Sequence, residues 1–188
     1  MKNIVRILVL ALLCALAGCA ETPAPDPLED ALGGYILRGR EGTFRLDRIE
    51  KIDSTTFRTE FEHRQNVFEL KLREETRLYN DYVRQGKPRN AARHSDAILR
   101  TREVMQGLDS LKAGLAGRLD EVAYYDYVFS GRVDISNRYS EFQDAFACIT
   151  PEGEVITVTQ DKKDLHKAGG RAIPGYVQML KEDTPEED

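Results

Sequence analysis

Between residues 55 and 117 the apolar positions repeat with a helical period, and one break divides them. Phe57, Phe61, Phe68, Leu72, Tyr79, Tyr82 and Val83 fall on one stripe, with Glu and Arg filling the other faces. Gly86-Lys87-Pro88 stops this pattern. Pro88 brings no N–H to a helix, and Gly86 suits a left-handed cap. From about 90 the stripe resumes as Ala91, Ile98, Met105, Leu108, Leu111 and Leu115. Two long helices joined by so short a connection must lie antiparallel. The spacing therefore predicts a helical hairpin with arms of about 45 Å, at ~1.5 Å per residue. Gly107, Gly114 and Gly117 each weaken the second arm by ~1 kcal/mol relative to Ala, so it is expected to bend or end early.

After residue 120 the period changes to two. Residues 122–133 are rich in aromatic and branched side chains and read as a strand. Alternation puts Tyr125, Tyr127, Phe129 and Val133 on one face, and Tyr124, Asp126 and Val128 on the other. Ser136-Asn137 marks a turn. Residues 142–150 and 154–160 form a hairpin about Pro151-Glu152-Gly153. Upstream, residues 43–52 begin as an alternation and then slip, and they too read as a strand. Asp53-Ser54-Thr55 offers N-cap side chains for the first long helix, and Gly33-Gly34 is expected to end any short helix over 28–32. A last short helix is expected over 175–181. The element order gives an α+β fold: a long antiparallel helical hairpin followed by a three- or four-stranded antiparallel sheet. A helix laid across such a sheet would have a cystatin-like or NTF2-like outline, an analogy of fold alone.

The N-terminus is organised differently. Lys2 and Arg6 precede eleven uncharged residues, Ile7 to Ala17, too few for the ~20 that a spanning helix needs. Small residues follow, and the segment closes on Leu16-Ala17-Gly18-Cys19. This resembles the signal peptide and lipobox of bacterial lipoproteins. The resemblance implies cleavage between Gly18 and Cys19, and diacylglycerol and acyl lipid on Cys19. It implies placement in the cell envelope; with Ala20 rather than Asp after the cysteine, the expected site is the outer membrane, facing the periplasm. Two or three acyl chains hold a protein on a bilayer where one barely does, at ~0.8 kcal/mol per buried CH₂. The expected division is a signal peptide at 1–18, a lipidated cysteine and Pro-rich spacer at 19–34, a domain at 35–181 and an acidic tail at 182–188. Pro23, Pro25 and Pro27 stiffen the spacer, which would give roughly 30 Å of stand-off if extended.

Charge narrows the partners. The chain carries 27 basic and 32 acidic residues, and without residues 1–18 its net charge is −7. That argues against a general nucleic-acid binder. One stretch runs the other way. Residues 84–102 hold six basic residues and a single acid, Asp96, for a net +5. Arg84, Lys87, Arg89, Arg93 and Arg100 therefore form a candidate docking surface for lipid headgroups, an acidic glycan or an acidic envelope protein. The competing reading is a solvated helix end whose arginine stems cover apolar surface. Tyr124, Tyr125 and Tyr127 form a candidate ligand groove, against ordinary sheet packing. Cys148 lies in an apolar run and reads as core or as a reactive thiol. With Cys19 blocked, it has no partner for an intramolecular disulfide.

Catalytic patterns are thin. Glu60-Phe61-Glu62-His63 has the Glu-x-x-His spacing of a di-iron helix but no second copy. His94-Ser95-Asp96 sits side by side on one helix, whereas a triad is assembled in space. Gly-x-Ser-x-Gly and the phosphate-binding glycine loops are missing. No metal, no cofactor beyond the lipid and no catalytic residue is expected. The sequence reads as a lipid-anchored envelope protein with a non-catalytic binding or scaffolding role. The alternatives are a small-ligand domain with a pocket between helix and sheet, or an unrecognised envelope enzyme. In the native host, Cys19→Ser should abolish labelled fatty-acid uptake and free the protein from the membrane fraction. Continued labelling of the variant would contradict the lipobox reading.

Overall fold

Strands β1 (Thr43–Thr56) and β2 (Val122–Ile135) pair antiparallel along nearly their whole length, although residues 57–121 separate them in the chain. The intervening segment is the helical hairpin, α2 (Phe57–Arg84) and α3 (Pro88–Gly114). This is a computed structural model, and it describes residues 26–136 and 138–182. The segment expected to be a signal peptide, Cys19 and residues 183–188 lie outside them. Strands β3 (Arg138–Ile149) and β4 (Val155–Thr159) complete a meander of order β1-β2-β3-β4. Helix α1 (Pro27–Leu37) precedes the sheet. A 3₁₀ stretch (Lys162–Ala172) and the short helix α4 (Tyr176–Glu182) follow it. The fold is thus α+β, with a helical hairpin and a four-stranded antiparallel sheet. One of the four strands, β1, comes before the hairpin.

Both faces of the central strands are covered. On one side α1 lays Leu32 against Phe44, Phe129, Val133, Ala145, Ala147 and Ile149. On the other, the root of the hairpin and the 3₁₀ stretch bury Phe57, Phe61, Leu108, Tyr124, Cys148, Leu165 and Ile173. Hence the middle of β2 and the end of β3 carry apolar side chains on both faces rather than a clean alternation.

Two local readings differ from the sequence expectation. Helix α1 runs through Gly33-Gly34 to Leu37, and it starts at Pro27, inside the stretch expected to be spacer. Two glycines cost a helix ~1 kcal/mol each. Burial of Leu32 offsets this, as do the caps. Asp26 accepts the Leu28 N–H at 2.9 Å, and the Arg40 guanidinium donates to the Ile36 and Leu37 carbonyls. Strand β1 extends to Thr56, because pairing with β2 draws Asp53-Ser54-Thr55 into the ladder. The N-cap of α2 is therefore Thr56, whose hydroxyl accepts the Thr59 N–H at 3.3 Å. Helix α3 passes unbroken through Gly107, which faces Met179 of α4, and ends at Gly114, short of the end of its apolar pattern, as its glycines predict.

The hairpin is rooted at one end only. Its buried residues on α2 are Phe57, Glu60, Phe61 and Arg64; on α3 they are Thr101, Val104, Leu108 and, near the turn, Ala91. No residue from 69 to 100 joins either core. Over that length the two helices pack on one another, and the outward faces leave Leu70 63% and Leu99 54% exposed. Val83, at the end of the apolar stripe, is also exposed. At ~1.5 Å per residue, α2 alone is about 42 Å long. The turn follows the sequence reading: Gly86 takes φ 65, and Pro88 opens α3. Phe61→Ala should cost ~3–5 kcal/mol of unfolding free energy, and Leu70→Ala no more than ~0.5, by urea denaturation. Equal losses would mean that the distal arm belongs to the core.

Candidate functional site

Two places on this framework concentrate chemistry. The first is a buried polar cluster at the root of the hairpin. Arg64 holds it together. Its Nε donates to Glu60 Oε1 at 2.5 Å, one turn earlier on α2. Its Nη1 donates to the Lys167 carbonyl at 3.2 Å, and its Nη2 to the His166 carbonyl. Glu60 is 1% exposed, and its other oxygen accepts the Tyr124 hydroxyl at 2.9 Å. Gly169 closes over this pair. A Cβ there would meet the Tyr124 oxygen at 2.8 Å and both Glu60 oxygens at 2.9 Å.

Behind it lies a second group. Cys148 Sγ lies 3.2 Å from Asp126 Oδ1 and 3.4 Å from the Leu165 carbonyl, the two acceptors for its one proton. His166 bridges the two. Its Nδ1 is 3.3 Å from the Tyr124 oxygen, and its Nε2 is 3.8 Å from Asp126 Oδ2. The single Tyr124 proton goes to Glu60, so the contact with His166 is a donation from Nδ1–H to the phenol oxygen. Nε2 is then left facing Asp126. In front of the cluster is a cavity of about 300 Å³, lined by Asp53, Ser54 and Thr55 of β1, Thr59, Glu60 and His63 of α2, Tyr124 and His166. Among the described residues, no lysine or arginine lines it. The N-terminal amides of α2 are also engaged: Phe57 and Arg58 donate to the Glu121 and Leu119 carbonyls, and Thr59 to its cap. An anion would find no ready partner there.

Burial sets the protonation states. It pushes the Cys148 thiol far up, and the Asp126 carboxylate beside it adds to the effect. The Tyr124 hydroxyl rises for the same first reason, with the Glu60 charge second. Nothing in the cluster activates a thiolate, which needs exposure and a positive neighbour. The Asp126 carboxyl rises as well: burial outweighs the Cys148 hydrogen bond and the charge of His166. Glu60, the acid of the Glu-x-x-His spacing, is committed to Arg64 and Tyr124. Among the described residues, no group of three or more His, Cys, Asp or Glu side chains is placed to hold a metal.

The three tyrosines of the candidate groove do not converge. Tyr124 enters the hairpin-side core. Tyr125 and Tyr127 meet edge-to-face at 6.4 Å, with Lys51 Nζ 4.6 Å over the Tyr125 ring, and Tyr127 packs against the α1-side core. Tyr125 lines a separate open cavity of about 670 Å³ beside Arg118, Glu152 and Arg171.

The second place is the far end of the hairpin. Arg84, Lys87, Arg89 and Arg93 are exposed there; Arg100 is exposed too, but midway along α3, beside the buried Thr101. Between the helix ends is a groove of about 430 Å³ floored by Tyr79, Val83, Pro88, Ala91 and Ala92. Just below it His94 stacks on Tyr82 at 5.2 Å and bonds Glu75 at 2.7 Å. Among the described residues no helix is long and apolar enough to cross a membrane.

Sequence reasoning passed over Arg64, Asp126 and His166, and it gave Glu60 no role beyond the Glu-x-x-His spacing. The signal was faint. The apolar stripe of α2 skips a turn between Phe61 and Phe68, where Arg64 sits. Comparison with protein families, with curated proteins and with solved structures finds no match.

The raised Asp126 carboxyl makes a signed prediction. The folded state holds that proton to higher pH than the unfolded chain, so this group lowers stability as pH rises from about 4 through its folded value. Asp126→Asn keeps an acceptor for the Cys148 thiol and removes that loss. Its stability relative to wild type should therefore grow between pH 4 and 8 in urea titrations. A difference independent of pH would contradict the buried-carboxyl reading.

Proposed function

We propose that this chain is a lipid-anchored protein of the bacterial cell envelope. It binds or scaffolds a partner and carries out no chemistry of its own. Acyl lipid on Cys19 holds it to the outer membrane on the periplasmic side, and the helical hairpin is its docking arm. The observation that supports this best is the arm itself. It is fixed at its root by Phe57, Phe61, Arg64 and Leu108, and it carries exposed cations at its free end beside an apolar groove. A stiff, rooted arm with its polar payload at the tip suits contact with a surface. It does not suit enclosure of a substrate.

A second reading is favoured by the cluster at the root. Buried polar networks are costly unless fully satisfied, and a half-open cavity in front of one is a usual place for a small ligand. In that reading Glu60, His63, Tyr124 and His166 would receive a small uncharged or cationic molecule. One experiment separates the two. A photo-crosslinker replacing Arg93, in the native envelope, should give discrete adducts that Arg84→Glu and Arg89→Glu suppress. No adduct at position 93, together with ligand-induced NMR shifts of His63 and His166 in an envelope extract, would replace the docking reading with the pocket.

A further inference from the structure

The two helices of the arm treat their arginines differently. On α2 they are neutralised within the helix. Arg73 pairs with Glu69 at 3.3 Å, and Arg77 pairs with Glu74 at 2.6 Å and Asp81 at 3.2 Å. Arg84 at the end of α2 lies 3.9 Å from Asp81. On α3 none of Arg89, Arg93 and Arg100 forms an ion pair among the described residues, and all three are exposed. Arg89 and Arg93, four apart, share one face at the tip, whereas Arg100 shares that face with the exposed Asp96 four residues before it and adjoins Thr101 at the buried root. Arg89 and Arg93 lie about 6 Å apart along the helix, at ~1.5 Å per residue. Lys87 extends them around the turn.

This distribution says what kind of anion fits. A single phosphate or carboxylate is held by groups converging on one point, whereas these cations lie along an edge and do not converge. The body's net negative charge does not cancel them at the tip. The Debye length is ~8 Å at physiological ionic strength, and the arm is several times longer. A broad anionic surface approaching the tip therefore meets Lys87, Arg89 and Arg93 beyond the reach of the body's negative charge. Val83 and Pro88 at the turn add small apolar contact beside them.

We infer that the tip of the arm lies on the anionic phospholipid headgroups of a bilayer, through Lys87, Arg89 and Arg93. This rests on the reading of the arm as a docking element, and it names the partner. Tip contact would be a second attachment beside the anchor. The acyl chains hold the protein at the bilayer, and the weaker tip contact would lay the domain along it.

The test uses the chain carrying Cys19→Ser, so that no acyl chain contributes, in co-sedimentation with two kinds of vesicle. One is phosphatidylcholine alone; the other includes phosphatidylglycerol. Binding should occur only with phosphatidylglycerol, and it should fall as salt is raised. Each neutralised cation should weaken it about fivefold at low salt. Arg89→Glu with Arg93→Glu should abolish it, while circular dichroism and the urea midpoint stay unchanged. Equal binding to both vesicles, or a double reversal without effect, would overturn the inference. If vesicles do not bind but the crosslinker at position 93 captures a protein or glycan, the lipid surface is wrong and the docking arm survives. If neither responds, both fall.

Discussion

The buried Arg64 guanidinium sets how the long hairpin sits on the rest of the domain, beside the apolar contacts of Phe57, Phe61 and Leu108. Arg64 reaches from the second turn of α2 to Glu60 on its own helix and to two carbonyls of the 3₁₀ stretch, at His166 and Lys167. Burying an ion pair costs several kcal/mol per charge, and only good geometry with all donors engaged repays it. Here the Arg64 donors meet acceptors on two elements, and the Glu60 oxygens meet Arg64 and Tyr124. Removing either partner would strand a charge. The ion pair therefore specifies how the arm sits on the sheet more than it adds net stability. Gly169 belongs to the same device, since any side chain there would collide with it.

The arm continues β1 without a linker: Thr56 ends the strand and caps the helix. A strand paired over its length, an immediate helix and a clamped second turn leave little freedom at the root. The distal half rests only on its partner helix, with Glu75–His94 and Tyr82 as a polar plug near the end. Stiffness at the root and separation at the tip are what a spacer with a contact surface needs. The division of charge follows the same logic. The arginines of the arm on α2 pair with acids one turn away, while Arg89 and Arg93 on α3 form no ion pair among the described residues.

Much of this architecture is legible in the sequence, for a local reason. Gly86-Lys87-Pro88, the stripes beside it, and Pro151-Glu152-Gly153 are signals in which a few adjacent residues dictate the backbone. The misread segments are those in which distant partners decide. Strand β1 outruns its own alternation because β2 offers a ladder to Thr56. Helix α1 survives two glycines because Leu32 is buried against Phe44 and Phe129. The polar cluster was the least legible. Its members come from α2, β2, β3 and the 3₁₀ stretch, and Tyr124 meets Glu60 across 64 residues of chain. Only Arg64, set where the apolar stripe skips a turn, hinted that a charge would be buried.

Native-state hydrogen exchange on the wild-type protein tests the central claim, that the arm is rooted by the Arg64 cluster and independent beyond it. Amides of residues 57–64 and 101–111 should exchange with the sheet, at the free energy of global unfolding. Amides of residues 70–98 should exchange through a distinct, lower-energy opening. A single free energy across the whole hairpin would show that the arm is an integral part of the core, and its independence beyond the root would be contradicted.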